Sequence, residues 1–455
     1  MAKGRLTMEE LAEAAAAGTI DTVLACIVDL QGRLMGKRFT VSHYLASAHA
    51  ESHCCKYLLA TDLMMQTPDG YANTGWSSGY GDYVMRPIAS TLRVAAWLEG
   101  TALVLCDVVD HDTHEIVDVS PRAVLERQIA RLGELGLDAR CATELEFFVF
   151  EENYDQLRKK GYAALEPISG VNEDYHILQT TKEERIMRPI RNQLVASAVP
   201  VENTKGEAET GQAELNIRYG PALDAADNHT IAKHAVKEIS WQQGVSATFL
   251  AKWARDKVGS SSHVHISVWK DGQNAFYDAD DDLGMSSLMK HFLAGLIAYS
   301  PEYTVLLAPY VNSYKRFMKG TFAPTKTVWS VDNRTAAFRI CGARTEAVRV
   351  ECRIGGADLN PYLAFAGLLA AGIKGLRSDL ALQPAATGDI YELQCANTIP
   401  ATLREASPRF RSSAMLREAL GRSVVDHYAR CAEWEQEEFD RVVSDWEIKR
   451  GFELA

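Results

Sequence analysis

The sequence predicts an α+β fold in two parts, and three observations carry that reading. At 455 residues the chain exceeds what one ordinary hydrophobic core serves. Its 47% apolar and 24% charged residues describe a folded globular protein rather than a disordered one. Strand-like runs dominate the early sequence, whereas strands and long amphipathic helices alternate afterwards, with no repeat period.

The first element is a short helix within residues 1–18. Thr7 is its N-cap, Glu10 completes a capping box and Gly18 stops it. Charges stand where an export signal needs an apolar core, so a cytoplasmic protein is expected. "TVLACIVDLQGRLMGKRFT" reads as a hairpin turning at Gln31 and Gly32. "QTPDGYANTGWSSGYGDYVMRP" reads as a long loop and "TALVLCDVVD" as a further strand, so residues 19–112 form a small β-rich domain. Ser120 and Pro121 then open a helix with an apolar stripe at Leu125, Ile129 and Leu132. The domain boundary falls near Val117, and residues 117–455 form the second domain. Long helices are expected at 224–243, 286–299 and 361–376; the last is too short to span a bilayer and carries Lys374, so it is a buried helix and not a membrane anchor.

Composition also excludes function classes. The net charge of -12 argues against a dedicated nucleic-acid binder, although such a chain holds ATP if metal ions mediate the contact. Nine cysteines without a framework indicate reduced thiols. The adjacent residues of "HCC" at His53, Cys54 and Cys55 point to opposite strand faces, which disfavours a metal site there. "DADDD" at 278–282 reads as a solvated loop, with calcium binding the minor alternative.

The chemistry begins at "TELEFFVF". Glu144 and Glu146 share one face of a strand that runs on into an apolar core. Two carboxylates there repel each other and lose hydration unless something compensates. "KGEAETGQAELNIRY" adds Glu207 and Glu214, "GSSSHVHISVW" puts His263 and His265 on one face, and "RVECRIGG" puts Glu351 between Arg349 and Arg353. A surface Glu–Arg ladder or a satisfied histidine pair would explain any one of these alone. Together they offer hard oxygen ligands suited to Mg2+ or Mn2+. Arg316, Arg334 and Arg339 join Arg349 and Arg353, and metal plus arginine is the equipment of phosphoryl transfer. No glycine-rich phosphate loop is present in the sequence, so the nucleotide is held some other way.

The ordered set "TELEFFVF", "GEAETGQAEL", "GSSSHVHIS", "NSYKRF", "DNRTAAFRI", "RVECRI" and "NPYLAFAGLLAAGI" resembles the glutamine synthetase superfamily over nearly the whole chain. The resemblance implies an N-terminal β-grasp domain, a catalytic domain built on a curved antiparallel sheet with helices, and rings of subunits paired into dodecamers with active sites between subunits. It implies two or more Mg2+ or Mn2+ ions per site, one held by Glu146, Glu207 and Glu214 and another by Glu144, His263 and Glu351. It assigns Glu202, Tyr219, His265, Ser267, Arg334 and Arg349 to ATP. Gly259, Arg316 and Arg353 would bind glutamate, with Arg339 at the transferred phosphoryl group. The implied reaction makes γ-glutamyl phosphate from ATP and glutamate, which an amine then attacks.

Three departures bear on the amine and the acid. The family's flap glutamate, which deprotonates ammonium, is Phe322 here, and an apolar ring suits the carbon skeleton of a larger amine instead. The family's Asp-Gly-Ser-Ser loop has no counterpart in "LLATDLMMQTPDG", where only Asp62 stands near. An asparagine that helps bind glutamate is Val258. The pattern resembles the γ-glutamylamide synthetases, which join glutamate to organic amines. A glutamine synthetase with a rebuilt ammonium site is the alternative. A non-catalytic protein reusing the fold is opposed by retention of all the proposed metal ligands.

Overall fold

The computed structural model describes residues 4–394 and 398–455. The first helix, Met8–Ala16, carries the expected capping box between Thr7 and Glu10 and is followed by left-handed Gly18. A first sheet has strands β1 (Thr22–Val28), β2 (Leu34–Thr40), β3 (Ser52–Cys55), β4 (Asp82–Pro87), β5 (Arg93–Val94) and β6 (Thr101–Asp110). Their order is β2-β1-β6-β4-β3, with β5 paired to β6. β1 runs antiparallel to β2 and parallel to β6. The long loop read from the sequence ends early, because its last residues are β4: Tyr83, Val84 and Met85 are buried against β6 and β3, and that burial outweighs the surrounding turn residues.

The β1–β2 hairpin docks on the rest of the chain. Gly32 adopts φ +77°, and a Cβ there would lie 3.2 Å from the Cα of Asn360. Asn360 Nδ2 donates to the carbonyls of Asp29 and Leu30 at 3.2 and 3.1 Å. Asn360 also caps the buried helix Pro361–Arg377, so one residue ties hairpin to helix.

The second sheet has strands β7 (Asp138–Phe150), β8 (Val201–Gly206), β9 (Gln212–Pro221), β10 (Ser246–Thr248), β11 (Ser262–Lys270), β12 (Gln273–Asn274), β13 (Trp329–Val331), β14 (Phe338–Cys341) and β15 (Arg349–Cys352). Its order is β13-β14-β15-β11-β7-β9-β8, with β10 on β7 and β12 on β11. All pairs are antiparallel except β13 with β14. β7 explains its own composition. In its first half Cys141, Thr143 and Leu145 are buried and Glu144 is not, the alternation of a strand with one solvent-facing side. In its second half all four residues of "FFVF" are buried, because Phe147 packs on Phe249 while Phe148 and Phe150 pack on Trp253 from the other side.

Helices Pro121–Gly133 and Ala222–Gln242 lie against the sheet, and Pro361–Arg377 packs on both of them and on Ser287–Leu307. Ser120 precedes the first of these as expected, but its side chain makes no capping bond. The helix expected to end near 299 runs on through Pro301. Proline removes one helical hydrogen bond, while Tyr303, Thr304, Leu306 and Leu307 in the following turns are buried. Among the described residues no helix is long and apolar enough to cross a membrane.

Candidate active site

Strand register assembles the site. Across β7 and β11 the partner of Glu144 is His263, and across β7 and β9 the partner of Glu146 is Glu214. Across β11 and β15 His265 faces Glu351, which also faces Arg339 on β14. Glu207 follows β8 directly. Five strands and the end of β8 therefore bring residues more than 200 positions apart in sequence to one surface.

Three carboxylates form the acidic part. Glu146, Glu207 and Glu214 offer oxygens that all lie within 4.8 Å of one another. Glu146 accepts from the Ser261 amide at 2.7 Å and from Gln212 Nε2 at 3.3 Å, yet burial and the charges of Glu207 and Glu214 raise its pKa well above the usual carboxylate range. Burial, with Glu207 and Glu144 nearby, pushes Glu214 up to about 8. Mutual repulsion in a desolvated corner is what a divalent cation relieves.

The histidine part is already compensated. Burial opposes ionisation of Glu144, but hydrogen bonds to His263 Nδ1 (3.1 Å) and His265 Nε2 (2.9 Å) hold its carboxyl well below the usual range. Burial likewise opposes Glu351, and Arg353 with His263 and His265 brings it down to about 2. Arg339 Nη1 donates to Glu351 at 3.0 Å and its Nε to Asp332 at 3.0 Å. Glu144, His263 and Glu351 stand in a row, His263 Nδ1 lying 3.1 Å from Glu144 and 3.6 Å from Glu351. The ligand atoms that converge within 4.8 Å, however, are Glu144 with Glu214 and His263, and Glu144 with His265 and Glu351.

Two cavities meet at Glu144 and Glu202. One, about 430 Å³, is lined by the three converging carboxylates, Gly259, Arg353 and Phe322. The other, about 470 Å³, is lined by Tyr219, His265, Ser267, Trp269 and Arg349. Arg349 Nε donates to His265 Nδ1 at 3.2 Å, and the Tyr219 ring stacks on Trp269 at 6.1 Å with a 21° interplanar angle. Arg334 and Arg339 line the first cavity and a third opening that also reaches Arg349.

Arg316 is not brought to the cavity surface. It is fully buried behind the wall, donating to Ser261 Oγ at 3.0 Å and to the carbonyls of Arg353 and Ile354. Gly259 packs so closely on it that a Cβ would lie 2.4 Å from Arg316 Cγ. Asp62 lies in neither cavity; its carboxylate accepts from the Met64 and Gln66 amides and from Trp434. Several lining residues are not singled out by the sequence motifs. Trp269 stands two residues beyond Ser267, so the same alternation that selects His263 and His265 points to it. Lys205 stands two before Glu207 by the same logic. Asp174 and Tyr175 lie in an irregular segment with no periodic signal.

Known proteins resemble this chain over most of its length. Residues 118–451 match the family described as glutamine synthetase, catalytic domain. The chain is 43% identical over 450 residues to the gamma-glutamylethanolamide synthetase GlnA4 of Streptomyces coelicolor, covering 98% of this chain and 96% of that protein. It is 33% identical over 439 residues to the glutamate–isopropylamine ligase of a Pseudomonas species, covering 96% and 95%. A solved ligand-free structure of GmaS superposes with a TM-score of 0.84 at 25% identity, covering 97% of this chain and 99% of that one.

Proposed function

This chain belongs to the glutamine synthetase family, and from that premise we propose that it is an ATP-dependent ligase that joins the γ-carboxylate of glutamate to an organic amine, giving a γ-glutamylamide, ADP and phosphate. One observation carries the reading: a carboxylate cluster that suits a cation lines a cavity joined to a second one at Glu144 and Glu202, and at the flap position of that acidic cavity stands Phe322 in place of an acid. Likeness to relatives that make γ-glutamylethanolamide and use isopropylamine supports it.

Glu146, Glu207 and Glu214 fit one Mg2+ or Mn2+ ion as they stand, and Glu144, His263 and Glu351, which stand in a row, would hold another once drawn together on it. His265, grouped with Glu144 and Glu351 in space, is available to both the metal and the nucleotide side. Bound divalent metal supplies charge neutralisation for the phosphate oxygens. Tyr219, with Trp269 behind it, offers a face for the adenine; Ser267, Glu202, Arg334 and Arg349 complete the ATP side. Arg353 reaches the cavity and pairs with glutamate's carboxylate. Arg316 supports that wall from behind, through Ser261 and Gly259. Arg339 places its guanidinium where charge develops on the transferred phosphoryl group. Activation is needed because a carboxylate is a poor electrophile. In the acyl phosphate the attacking amine forms the new C–N bond, phosphate departs with the C–O bond electrons, and the amine proton passes to an acceptor in the cavity. Phe322 offers no such acceptor and no charge for ammonium.

The assembly follows the family: a dodecamer of two stacked hexamers with sites between subunits. Exposed Trp76, Phe452 and Leu454 at 76%, 89% and 85% supply apolar surface for such contacts. Free thiols at all eight described cysteines suit a cytoplasmic setting.

Phosphate release from ATP with Mg2+ and glutamate, across ammonium, methylamine, ethanolamine, isopropylamine, putrescine and aniline, tests the function. Strong turnover with an organic amine and little with ammonium is expected. Ammonium as the best nucleophile would make the protein a glutamine synthetase.

A further inference from the structure

Lys205 is a cation planted inside the acidic cavity. It is four-fifths buried, with the side chain 19% exposed. Its Nζ pairs with Glu207, lies 3.4 Å from Asp174 and 3.3 Å from the Gly206 carbonyl, and sits 4.5 Å from the centre of the Tyr175 ring. Carboxylate, carbonyl and aromatic face together form a receptor for a primary ammonium group, and the chain fills it with its own.

The wall around it is unusual. Tyr175 and Phe322 both line this cavity, and both take left-handed backbone, φ 55° and 57°, which bulky residues avoid. Neither side chain is buried in return: they are 69% and 54% exposed. Strain without compensating burial marks a segment held for what it faces. Metal at Glu207 would remove one partner of Lys205 but leave Asp174, the Gly206 carbonyl and Tyr175, so the ammonium stays held in the cavity wall.

We propose that Lys205, held by Asp174 and Tyr175, confines this site to monoamines by repelling the second charge of a diamine or polyamine. The inference rests on the reading that this cavity admits an organic amine. The reacting nitrogen is neutral when it attacks, so it escapes the repulsion, whereas a distant ammonium on the same molecule remains charged and meets Lys205, which already fills the receptor. Specificity then comes from a repulsive element rather than an added contact.

The test compares amino alcohols with diamines of the same length, ethanolamine with ethylenediamine and 4-aminobutan-1-ol with putrescine, by kcat/KM for γ-glutamylamide formation. The wild-type enzyme is expected to favour the neutral-ended partner by roughly 30-fold or more, with the ratio narrowing as salt screens the charge. Lys205→Gln should cut that ratio by about tenfold, and Lys205→Arg, which keeps the charge, should preserve it. Equal use of both partners by the wild-type enzyme would overturn the proposal, as would a Lys205→Gln ratio unchanged from wild type, which would leave Lys205 as no more than a counter-ion for Glu207. Should Lys205→Gln fail to fold, the wild-type ratio and its salt dependence decide alone. Absence of turnover with every amine would instead remove the amine-ligase reading beneath it.

Discussion

The two carboxylate groupings of the site sit side by side on one sheet and are electrostatic opposites. Around Glu144 and Glu351, histidines and arginines lower the acids, Glu351 to about 2. Around Glu146 and Glu214, burial and like charge raise them, Glu214 to about 8. Both are acidic, so composition does not separate them; what differs is which neighbours the strands supply. The first grouping is balanced by protein cations. The second is incomplete until a proton or a metal ion arrives.

The largest expected effect removes the balanced side. Glu351→Ala strands His263, Arg339 and Arg353 without their shared anion and takes away a proposed metal ligand. Phosphate release should fall roughly 10³-fold, while circular dichroism stays native; robust turnover would break the comparison, because the balanced group would then be a structural ion-pair cluster. On the incomplete side, Glu146→Gln should change stability as well as activity. Removing a carboxyl whose ionisation the site opposes is expected to stabilise the metal-free protein by about 1 kcal/mol and to abolish the stabilisation that Mn2+ gives the wild type. Thermal melts with and without Mn2+ measure both.

pH sharpens the contrast because the signs are opposite. A carboxyl raised to about 8 adds stability that is complete below its unfolded pKa and lost as pH climbs through about 8. The metal-free protein should therefore weaken between pH 5 and 8 as Glu214 ionises, and Mn2+ should restore it with release of a proton, seen as buffer-dependent binding enthalpy. Glu351, depressed to about 2, contributes stability present above its unfolded pKa and lost only as pH falls toward about 2. Metal-free melting curves flat from pH 5 to 8 would contradict the assignment. The smallest effect concerns the cavity wall. Phe322→Glu should raise the ratio of ammonium to organic-amine turnover by about tenfold; an unchanged ratio would show that the exposed ring takes no part in choosing the nucleophile.

Much of the fold and the site is legible in the sequence. The capping box at Thr7, the hairpin at Gly32, strand "TALVLCDVVD" and the buried helix after Asn360 are local patterns, and local chemistry forms them. The same period of two that marks a strand puts Glu144 with Glu146 and His263 with His265. It also reaches Trp269 and Lys205, which belong to no cluster of like residues and so draw no notice in the sequence. Arg316 shows the opposite failure: a charged residue in a telling motif lies behind the wall, because Gly259 lets its side chain pack there.

Fold class, family, the set of acids and histidines and the loss of an acid at Phe322 follow from residue type and short-range spacing alone. Which acid faces which base does not, and it emerges when the strands pair. Register between β7, β9, β11 and β15 pairs Glu146 with Glu214 but Glu144 with His263. It also set Lys205 between Asp174 and Tyr175, the first of which an irregular segment brings back from 31 positions upstream. Cross-strand pairing and loop return are long-range consequences of burying the whole core, and no short window of the chain contains them.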